Sequence, residues 1–289
     1  MKHLSKCAAL LVLLSSPAWC TRTLRDEAGR TVTVPDQVSR AISLAPSITD
    51  TIYALGASSQ LAAITDFTEY PPEAAKQKPS IGEILKPSVE KIATLHPDLV
   101  FGISTFNSPE TIRGLEGLGI PVFLINGRGV AGVYASVASI GHALGRDKEA
   151  TALIAKLHAR EQNVRAMAAK GRHPSVFLTL QLDPCITAGK GAFITELIGI
   201  AGARSVTADL PQDWLRVSLE TILPRKPDYI LLMKSAPFGL DDMRSRAGWN
   251  SLDAVRRGGV LHADDRLQIP SPAAFDGLEE LSRQIQNAQ

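Results

Sequence analysis

The feature of this sequence that most constrains its fold is an internal repeat. Residues 89–100 read VEKIATLHPDLV and residues 219–230 read LETILPRKPDYI, so Glu, Ile, Pro and Asp recur 130 positions apart. Solenoid repeats have periods of roughly 20–50 residues. The longer period indicates instead that a whole lobe is duplicated, and a chain of 289 residues is long enough for two such lobes.

Short apolar segments alternate with helical patterns in each half of the chain. Residues 41–44 and 99–101 predict buried strands, and residues 49–55, 88–95 and 109–118 predict helices. Such alternation across short loops is typical of parallel βαβ units. The sequence therefore predicts an α/β fold with two Rossmann-like lobes, each built on a parallel sheet.

Strand signals disappear between the two halves. Residues 133–144 form one helical pattern, and residues 147–170 form a second that is rich in Ala, Leu, Lys, Glu and Arg. A helix of about 24 residues is roughly 36 Å long and can join two lobes as a backbone helix. The predicted domains are a signal peptide at 1–20, an N-terminal hairpin segment at 21–38, an N-terminal α/β lobe at 39–127, linking backbone helices at 128–172 and a C-terminal α/β lobe at 173–289.

The first twenty residues have the layout of a secretory signal peptide. Lys2 and Lys6 give a positive start, residues 8–14 are apolar, and small residues follow. The apolar run is shorter than the roughly 20 residues that cross a bilayer. Cleavage is expected after Ala18 or Cys20, and a lipid anchor on Cys20 is the alternative. Export implies an oxidising compartment.

Charge and motif content argue against several classes of function. The chain has 31 Lys and Arg against 29 Asp and Glu, so it lacks the basic excess of a nucleic-acid-binding protein. Gly-x-Ser-x-Gly, Walker and His-Glu-x-x-His motifs are absent from the sequence. Gly189-Lys190-Gly191 matches a dinucleotide loop only in part, because Ile194 stands in place of the third glycine. The histidines and Cys185 lack metal-ligand spacing. We therefore predict neither catalytic residues nor a metal site, and a secreted α/β enzyme with dispersed catalytic groups is the alternative.

Loops after the predicted strands carry a third of the aromatic residues. In parallel sheets ligands bind beyond the carboxyl ends of the strands, and clefts between domains are preferred ligand sites. Flat aromatic side chains suit a bulky, rigid ligand because they bury area with little loss of rotamer entropy. These loops contain five aromatic residues: Phe67, Tyr70, Phe106, Trp214 and Phe238. Two of the five are expected to fill the bases of their loops and not to contact a ligand. The predicted ligand-binding residues are Pro46, Ser47, Phe67, Tyr70, Gly82, Glu83, Phe106, Trp214, Phe238, Asp265 and Arg266.

Glu90 and Glu220 occupy matching positions in the repeat. Each follows a serine, Ser88 or Ser218, by two residues and is expected in the first turn of its helix. A carboxylate there complements the helix dipole, and the serine can cap the helix. Two matching carboxylates on one face would also suit a two-fold-symmetric partner that carries arginines. We predict docking at Glu90 and Glu220, a role compatible with helix capping.

Several segments resemble the periplasmic substrate-binding proteins of ABC importers for vitamin B12 and iron–siderophore complexes, the helical-backbone (type III) family. They are RAISLAPS at 40–47, DFTEYPPEA at 66–74, IG at 81–82, PSVEKI at 87–92, PDLV at 97–100, VSLE at 217–220, KPDYI at 226–230 and LDAV at 252–255. The resemblance covers roughly residues 38–285 and is greatest for the vitamin B12 branch. It implies a monomeric periplasmic receptor that closes slightly on its ligand and delivers it to a permease dimer.

The resemblance also implies roles for single residues. Glu90 and Glu220 match the glutamates that meet permease arginines, and Phe67 and Trp214 match aromatics that line the cleft in the vitamin B12 branch. Gly82-Glu83 departs from that branch, which often carries another aromatic there. The branch can also have a second-lobe disulfide, which Cys185 alone cannot form.

Three ligand classes fit the family, and each requires different chemistry. A haem receptor should offer His or Tyr axial ligands, for which Tyr70 is the candidate. A carboxylate or catecholate siderophore requires a basic cleft, to which Arg128, Lys190, Lys234 and Arg266 could contribute. A corrinoid is bulky, nearly neutral and rimmed by amides, which suits aromatic walls and backbone groups. We favour the corrinoid as a bound ligand, with an iron-siderophore or haem as the alternative, and expect no resident cofactor.

Overall fold

The computed structural model describes residues 20–288. The predicted signal segment therefore lies outside the described residues, apart from Cys20. Within 20–288, no helix combines the length and the apolar character that crossing a bilayer requires. The described chain begins with a hairpin of two antiparallel strands, β1 (Thr21–Arg25) and β2 (Thr31–Pro35).

The N-terminal lobe is built on a four-stranded parallel sheet. Its strands are buried and apolar, as expected for a sheet with helices on both faces. Proline at the first position starts helix α1, whereas Ser88 and Ser108 accept backbone hydrogen bonds as the N-caps of α3 and α4. The elements are β3 (Ala41–Ser43), α1 (Pro46–Ala54), β4 (Leu61–Ala63), α2 (Pro72–Gln77), α3 (Val89–Thr94), β5 (Leu99–Ile103), α4 (Pro109–Gly117) and β6 (Val122–Ile125).

Two helices link the lobes, as predicted. They are α5 (Gly129–Ala143) and α6 (Asp147–Ala168). Helix α6 has 22 residues and agrees closely with the predicted run 147–170. Helix α5 begins at Gly129, four residues earlier than the predicted 133, with Arg128 as its N-cap residue.

The C-terminal lobe holds a second four-stranded parallel sheet and a three-stranded antiparallel sheet, which has the order β11-β9-β8. Its elements are β7 (Ser175–Leu178), β8 (Gln181–Leu182), β9 (Cys185–Ala188), α7 (Phe193–Ile200), β10 (Arg204–Ser205), β11 (Trp214–Arg216), α8 (Leu219–Ile222), β12 (Tyr229–Met233), α9 (Leu240–Ser245), α10 (Asp253–Arg256), β13 (Val260–Ala263) and α11 (Ala274–Asn287).

The two parallel sheets have the same topology. The N-terminal order is β4-β3-β5-β6, and the C-terminal order is β10-β7-β12-β13. In both, the first strand of the sheet lies between the second and the third, and the fourth is at the edge. Helices α3 and α8, which carry the repeated Glu, immediately precede the third strand in each lobe. The duplication predicted from the sequence is thereby confirmed.

One continuous cluster of buried side chains joins both lobes to the linking helices. It includes Ile48 of α1, Val133 of α5, Leu157 of α6, Ile194 of α7 and Phe275 of α11, each at most 1% exposed. Close-packed interiors resist deformation. Movement between the lobes therefore has to preserve this packing, which favours a small closure over a wide hinge motion.

Candidate functional site

A cavity of about 340 Å³ lies between the lobes. It is open to solvent on one side, and its volume is near the lower end of the roughly 300–1,000 Å³ range of small-molecule sites. Its position follows from the sheet topology, because strands β5 and β6 end at its floor. The lining segments are 47–51 in α1, 103–106 after β5, 125–129 between β6 and α5, 136–140 in α5, and 191–193, 213–214 and 268–270 in the C-terminal lobe.

Two exposed aromatic side chains line this cavity, one from each lobe. Phe106, from the N-terminal lobe, is 54% exposed, and Trp214, from the C-terminal lobe, is 41% exposed. Trp214 starts strand β11, whose pairing with Ala188 of β9 fixes its backbone. Large apolar side chains that are exposed beside a cavity supply area that a ligand can bury.

The cavity has two charged lining residues, and they pair with each other. The Arg128 guanidinium lies 3.5 Å from Oδ2 of Asp213. The other lining side chains are apolar or neutral, including Ser47, Thr51 and Asn126. The lining therefore has no net charge.

The N-terminal hairpin holds the cavity floor in place from behind. The backbone N–H of Asn126 donates to Oε2 of Glu27 at 2.6 Å, and the Ser136 hydroxyl donates to the same oxygen at 3.2 Å. Asn126 and Ser136 both line the cavity. Burial raises the pKa of Glu27, partly offset by these hydrogen bonds. The chain before the first lobe thus helps to shape the site.

A glycine turn forms the C-terminal wall of the cavity. Gly189-Lys190-Gly191 connects β9 to α7, and a Cβ on Gly191 would lie 2.0 Å from Oδ1 of Asp213. The Gly189 N–H also donates to the Asp213 carbonyl. The turn is therefore a strand-to-helix connection whose second glycine makes room for the Asp213 carboxylate, which accounts for the glycines without a nucleotide.

Of the predicted ligand-binding residues, three line this cavity: Ser47, Phe106 and Trp214. Ser47 does so from the first turn of α1, since that helix begins at Pro46 and not in the predicted 49–55 run. The predicted residues that do not line it are Pro46, Phe67, Tyr70, Gly82, Glu83, Phe238, Asp265 and Arg266.

Several of these other residues have structural partners of their own. Phe238 packs against the core of the C-terminal lobe, so it fills a loop base. Asp265 accepts hydrogen bonds from the Ser235 hydroxyl and backbone N–H. Phe67, by contrast, is 81% exposed and has a left-handed backbone with φ of 59°. Its cleft role stays a prediction, as do those of Gly82 and Glu83.

Tyr70 and Arg266 belong to a polar network outside the lining of this cavity. The Arg266 guanidinium lies 5.2 Å from the Tyr70 ring centroid and forms ion pairs with Asp264 and Asp276. Hydrogen bonds from Arg266 hold the pKa of Asp264 at about 2. Asp276 also pairs with Arg160 of the linking helix α6. These residues tie the Tyr70 loop, the C-terminal lobe and α6 together.

Asp50 of α1 makes a second connection between the lobes. It is 5% exposed and accepts a hydrogen bond from the Ala273 N–H at 2.8 Å, at the start of the C-terminal helix. Burial raises the pKa of this carboxyl. A buried, titratable group therefore lies at a contact between the two lobes.

Sequence reasoning missed the segment 126–129 and the turn 191–193 as cavity walls. The strand-end rule that selected Phe106 applies equally to β6, after which Asn126 and Gly127 come directly. The sequence pattern suggests Arg128 only as a contact for an anionic siderophore.

Glu90 and Glu220 are both exposed, each in the first turn of a short helix. Neither has an ion-pair partner within residues 20–288. Ser88 caps its helix by accepting from the Lys91 N–H, as expected. Ser218 makes no such cap bond, and its hydroxyl lies 3.2 Å from that of Thr221 instead. Capping by this second serine was therefore wrongly predicted.

Metal binding and disulfide formation find no support in the part of the chain that the structure describes. No group of three or more His, Cys, Asp or Glu side chains there is arranged to hold a metal ion. The two cysteines described, Cys20 and Cys185, are free, one exposed and the other buried.

Comparisons with known proteins agree with this architecture. The family model described as periplasmic binding protein matches residues 42–267. An uncharacterized ABC transporter substrate-binding lipoprotein of Bacillus subtilis, YvrC, is 30% identical, over 91% of this chain and 85% of its own. A vitamin B12-binding protein of Vibrio cholerae is 26% identical, over 88% of this chain and 92% of its own. The apo structure of the periplasmic heme-binding protein RhuT of Roseiflexus superposes with a TM-score of 0.79 at 25% identity, covering 87% of this chain and 99% of that one.

The family match spans most of the chain, and the relatives align over nearly their whole length. YvrC is named as an ABC transporter substrate-binding lipoprotein, and the RhuT structure shares the fold over 87% of this chain. The chain belongs to the periplasmic binding protein family and is a solute-binding protein of the ABC importer type.

Proposed function

We propose that the protein captures a corrinoid of the vitamin B12 type in the cavity between its lobes and delivers it to an ABC importer. The observation that carries this proposal is the neutral, aromatic-walled lining of the cavity. A corrinoid is a bulky, nearly neutral ligand with an amide rim. Phe106 and Trp214 supply apolar faces for it, and Ser47, Thr51 and Asn126 supply hydrogen-bonding groups.

Size sets a condition on this proposal. A whole corrinoid is larger than the 340 Å³ cavity. It would therefore extend past Phe106 and Trp214 out of the cavity, or the lobes would open slightly to admit it.

The charge distribution weakens the siderophore alternative. Of the four basic residues considered for an anionic siderophore, three already have carboxylate partners. Arg128 pairs with Asp213, Lys234 with Glu280 and Asp264, and Arg266 with Asp264 and Asp276. An anionic ligand would have to compete with these carboxylates, and of this set only Lys190 would be left to it.

Haem is the second candidate, favoured by the structural similarity to a heme-binding protein. Haem receptors hold the iron through axial side chains. The cavity lining, all of it within the described residues, contains no His, Tyr, Cys or Met. Tyr70, the predicted axial ligand, is engaged by Arg266 outside that lining. Because the cavity lining offers no side chain to bind haem iron, it favours a bound molecule whose metal is already fully coordinated, as in a corrinoid.

Titration of the purified protein separates these ligands. Cyanocobalamin, haem and a ferric catecholate siderophore would each be titrated calorimetrically, with visible spectra recorded in parallel. We expect saturable binding of cyanocobalamin with one site per chain. If haem binds with a shifted Soret band and cyanocobalamin does not bind, haem is the ligand instead. Turnover of a small substrate without binding of any of the three would favour an enzyme.

We further propose that Glu90 and Glu220 dock a monomer of the protein onto the permease dimer. Both carboxylates are exposed, unpaired within residues 20–288, and equivalent in the two lobes. A two-fold-related pair of permease arginines can pair with both at once. Charge reversal by Glu90→Lys with Glu220→Lys should abolish uptake and leave ligand affinity unchanged. Normal uptake by the double variant would contradict this assignment.

Residues 1–20 are proposed to be a cleaved signal that places the protein in the periplasm. The carbonyl of Cys20 accepts a hydrogen bond from the Asp36 N–H, and β1 begins at the next residue. A lipid on Cys20 would therefore leave no spacer between the membrane and the hairpin, which favours a free mature protein over an anchored one. Mass spectrometry of the protein purified from cells gives the mature N-terminus and any lipid directly.

A further inference from the structure

The junction of β6 and α5 presents two positive features to the cavity. One is the Arg128 guanidinium, and the other is the N-terminus of α5, a 15-residue helix whose dipole is positive at that end. Together they are the chemistry that recognises a carboxylate. In this protein each of them is already occupied by a carboxylate from the opposite lobe.

Asp213 occupies the first of these features. Its Oδ2 lies 3.5 Å from Arg128, across the mouth of the cavity. The carboxylate also rests against Gly191, where any Cβ would collide with it, and the Asp213 carbonyl accepts from the Gly189 N–H. The turn therefore holds Asp213 toward Arg128, in a pair whose side chains are 45% and 69% exposed.

Glu196 occupies the second feature. Its Oε2 accepts a hydrogen bond from the Val130 N–H at 3.0 Å, and a Cβ on Gly129 would lie 2.6 Å from the same oxygen. Glu196 belongs to α7 of the C-terminal lobe. A side chain at residue 129 would push this carboxylate away from the helix end.

We propose that Asp213, supported by Glu196, is a specificity-determining residue that makes the cavity select neutral ligands over carboxylate-bearing ones. Asp213 lines the cavity and stands where an acid group of an anionic ligand would otherwise pair with Arg128, while Glu196 takes up the Val130 N–H at the start of α5, next to the lining residue Gly129. An anionic guest has to displace them or sit beside their negative charge, whereas a neutral, amide-rich guest does neither. The inference takes the cavity as the ligand site, as the proposed function does, and adds the reason for its ligand class.

The test compares cyanocobalamin, which is neutral, with protoporphyrin IX, which carries two carboxylates and no metal. Asp213→Asn keeps the shape of the side chain and frees Arg128. We expect the ratio of the two affinities to shift toward protoporphyrin IX by roughly two- to fivefold, the upper part of the range for an exposed charge pair. Adding Arg128→Gln to this variant should cancel the shift. Asp241→Asn, at a side chain that is 97% exposed in the same lobe, is the matched control for net charge and should change neither affinity.

Three outcomes would show that Asp213 does not determine ligand specificity. An unchanged ratio in Asp213→Asn, a shift that survives Arg128→Gln, or no protoporphyrin IX binding by Asp213→Asn would overturn the specificity role. Failure of the wild-type protein to bind cyanocobalamin would instead defeat the proposed ligand. In that case the protoporphyrin IX titrations, compared among the variants alone, still report whether Asp213 screens Arg128.

Discussion

Replacing Trp214 by alanine removes the larger of the two aromatic faces at the cavity. A tryptophan can bury up to about 250 Å², and Trp214 is 41% exposed, which leaves about 100 Å² for a ligand to cover. At roughly 25 cal/mol per Å², this area is worth about 2.5 kcal/mol, or about 70-fold in affinity. Because binding also orders side chains and desolvates polar groups, a loss of roughly 10- to 70-fold is expected.

Calorimetric titration of Trp214→Ala with the ligand that the wild-type protein binds measures this loss. Trp214→Phe keeps an aromatic face and should recover most of the affinity. Met167→Ala is the matched control, since Met167 is 44% exposed on α6 but does not line the cavity. Thermal unfolding of each variant separates a binding defect from a folding one. An affinity of Trp214→Ala within twofold of the wild type would refute the assignment of the cavity as the ligand site.

Three further predictions concern stability and the shape of the site. Asp50→Ala should cost about 1–3 kcal/mol, since it leaves the buried Ala273 N–H unpaired, whereas Asp50→Asn keeps an acceptor and should cost less in thermal unfolding at pH 7. Because burial raises the pKa of Asp50, the fold binds its proton more tightly than the unfolded chain does; stability from this group is present at low pH and falls as the pH rises through the raised value, and Asp50→Asn should flatten that part of the pH–stability curve. Glu27→Ala should weaken ligand binding although Glu27 does not line the cavity, because the substitution releases the N–H of the lining residue Asn126. Glu27→Gln keeps an acceptor and should restore most of the affinity. Ser88→Ala should destabilise the fold by about 1 kcal/mol in chemical denaturation, and Ser218→Ala by less than about 0.5 kcal/mol, because only the first serine caps its helix.

The architecture could be predicted because strand and helix signals depend on residues that are close together in the sequence. Alternating strand and helix signals and the 130-residue repeat determine two like lobes, and both sheets have the same strand order. The length of α6 could be predicted because its 22 residues form one uninterrupted run of helix-favouring side chains. The start of α1 was harder to predict, since proline is common both in loops and at the first position of a helix, where Pro46 lies.

The site was predictable only where a single strand end decided it. Phe106 and Trp214 follow or begin strands, and both line the cavity. Phe238 follows a strand as well, yet it packs against the core of its own lobe. Strand ends define a region of a lobe, but the direction of a side chain within a loop depends on what packs beneath it.

Two equivalent α/β lobes, the helices that link them and the glutamate at the same place in each are predictable from the amino-acid sequence. Which residues meet between the lobes depends on how the chain packs. Arg128 and Asp213 are 85 positions apart in the sequence, and neither residue type signals its partner. Their pairing, and with it the neutrality of the cavity, arises only when the β6–α5 junction and the turn before β11 are brought together by the core that the lobes share.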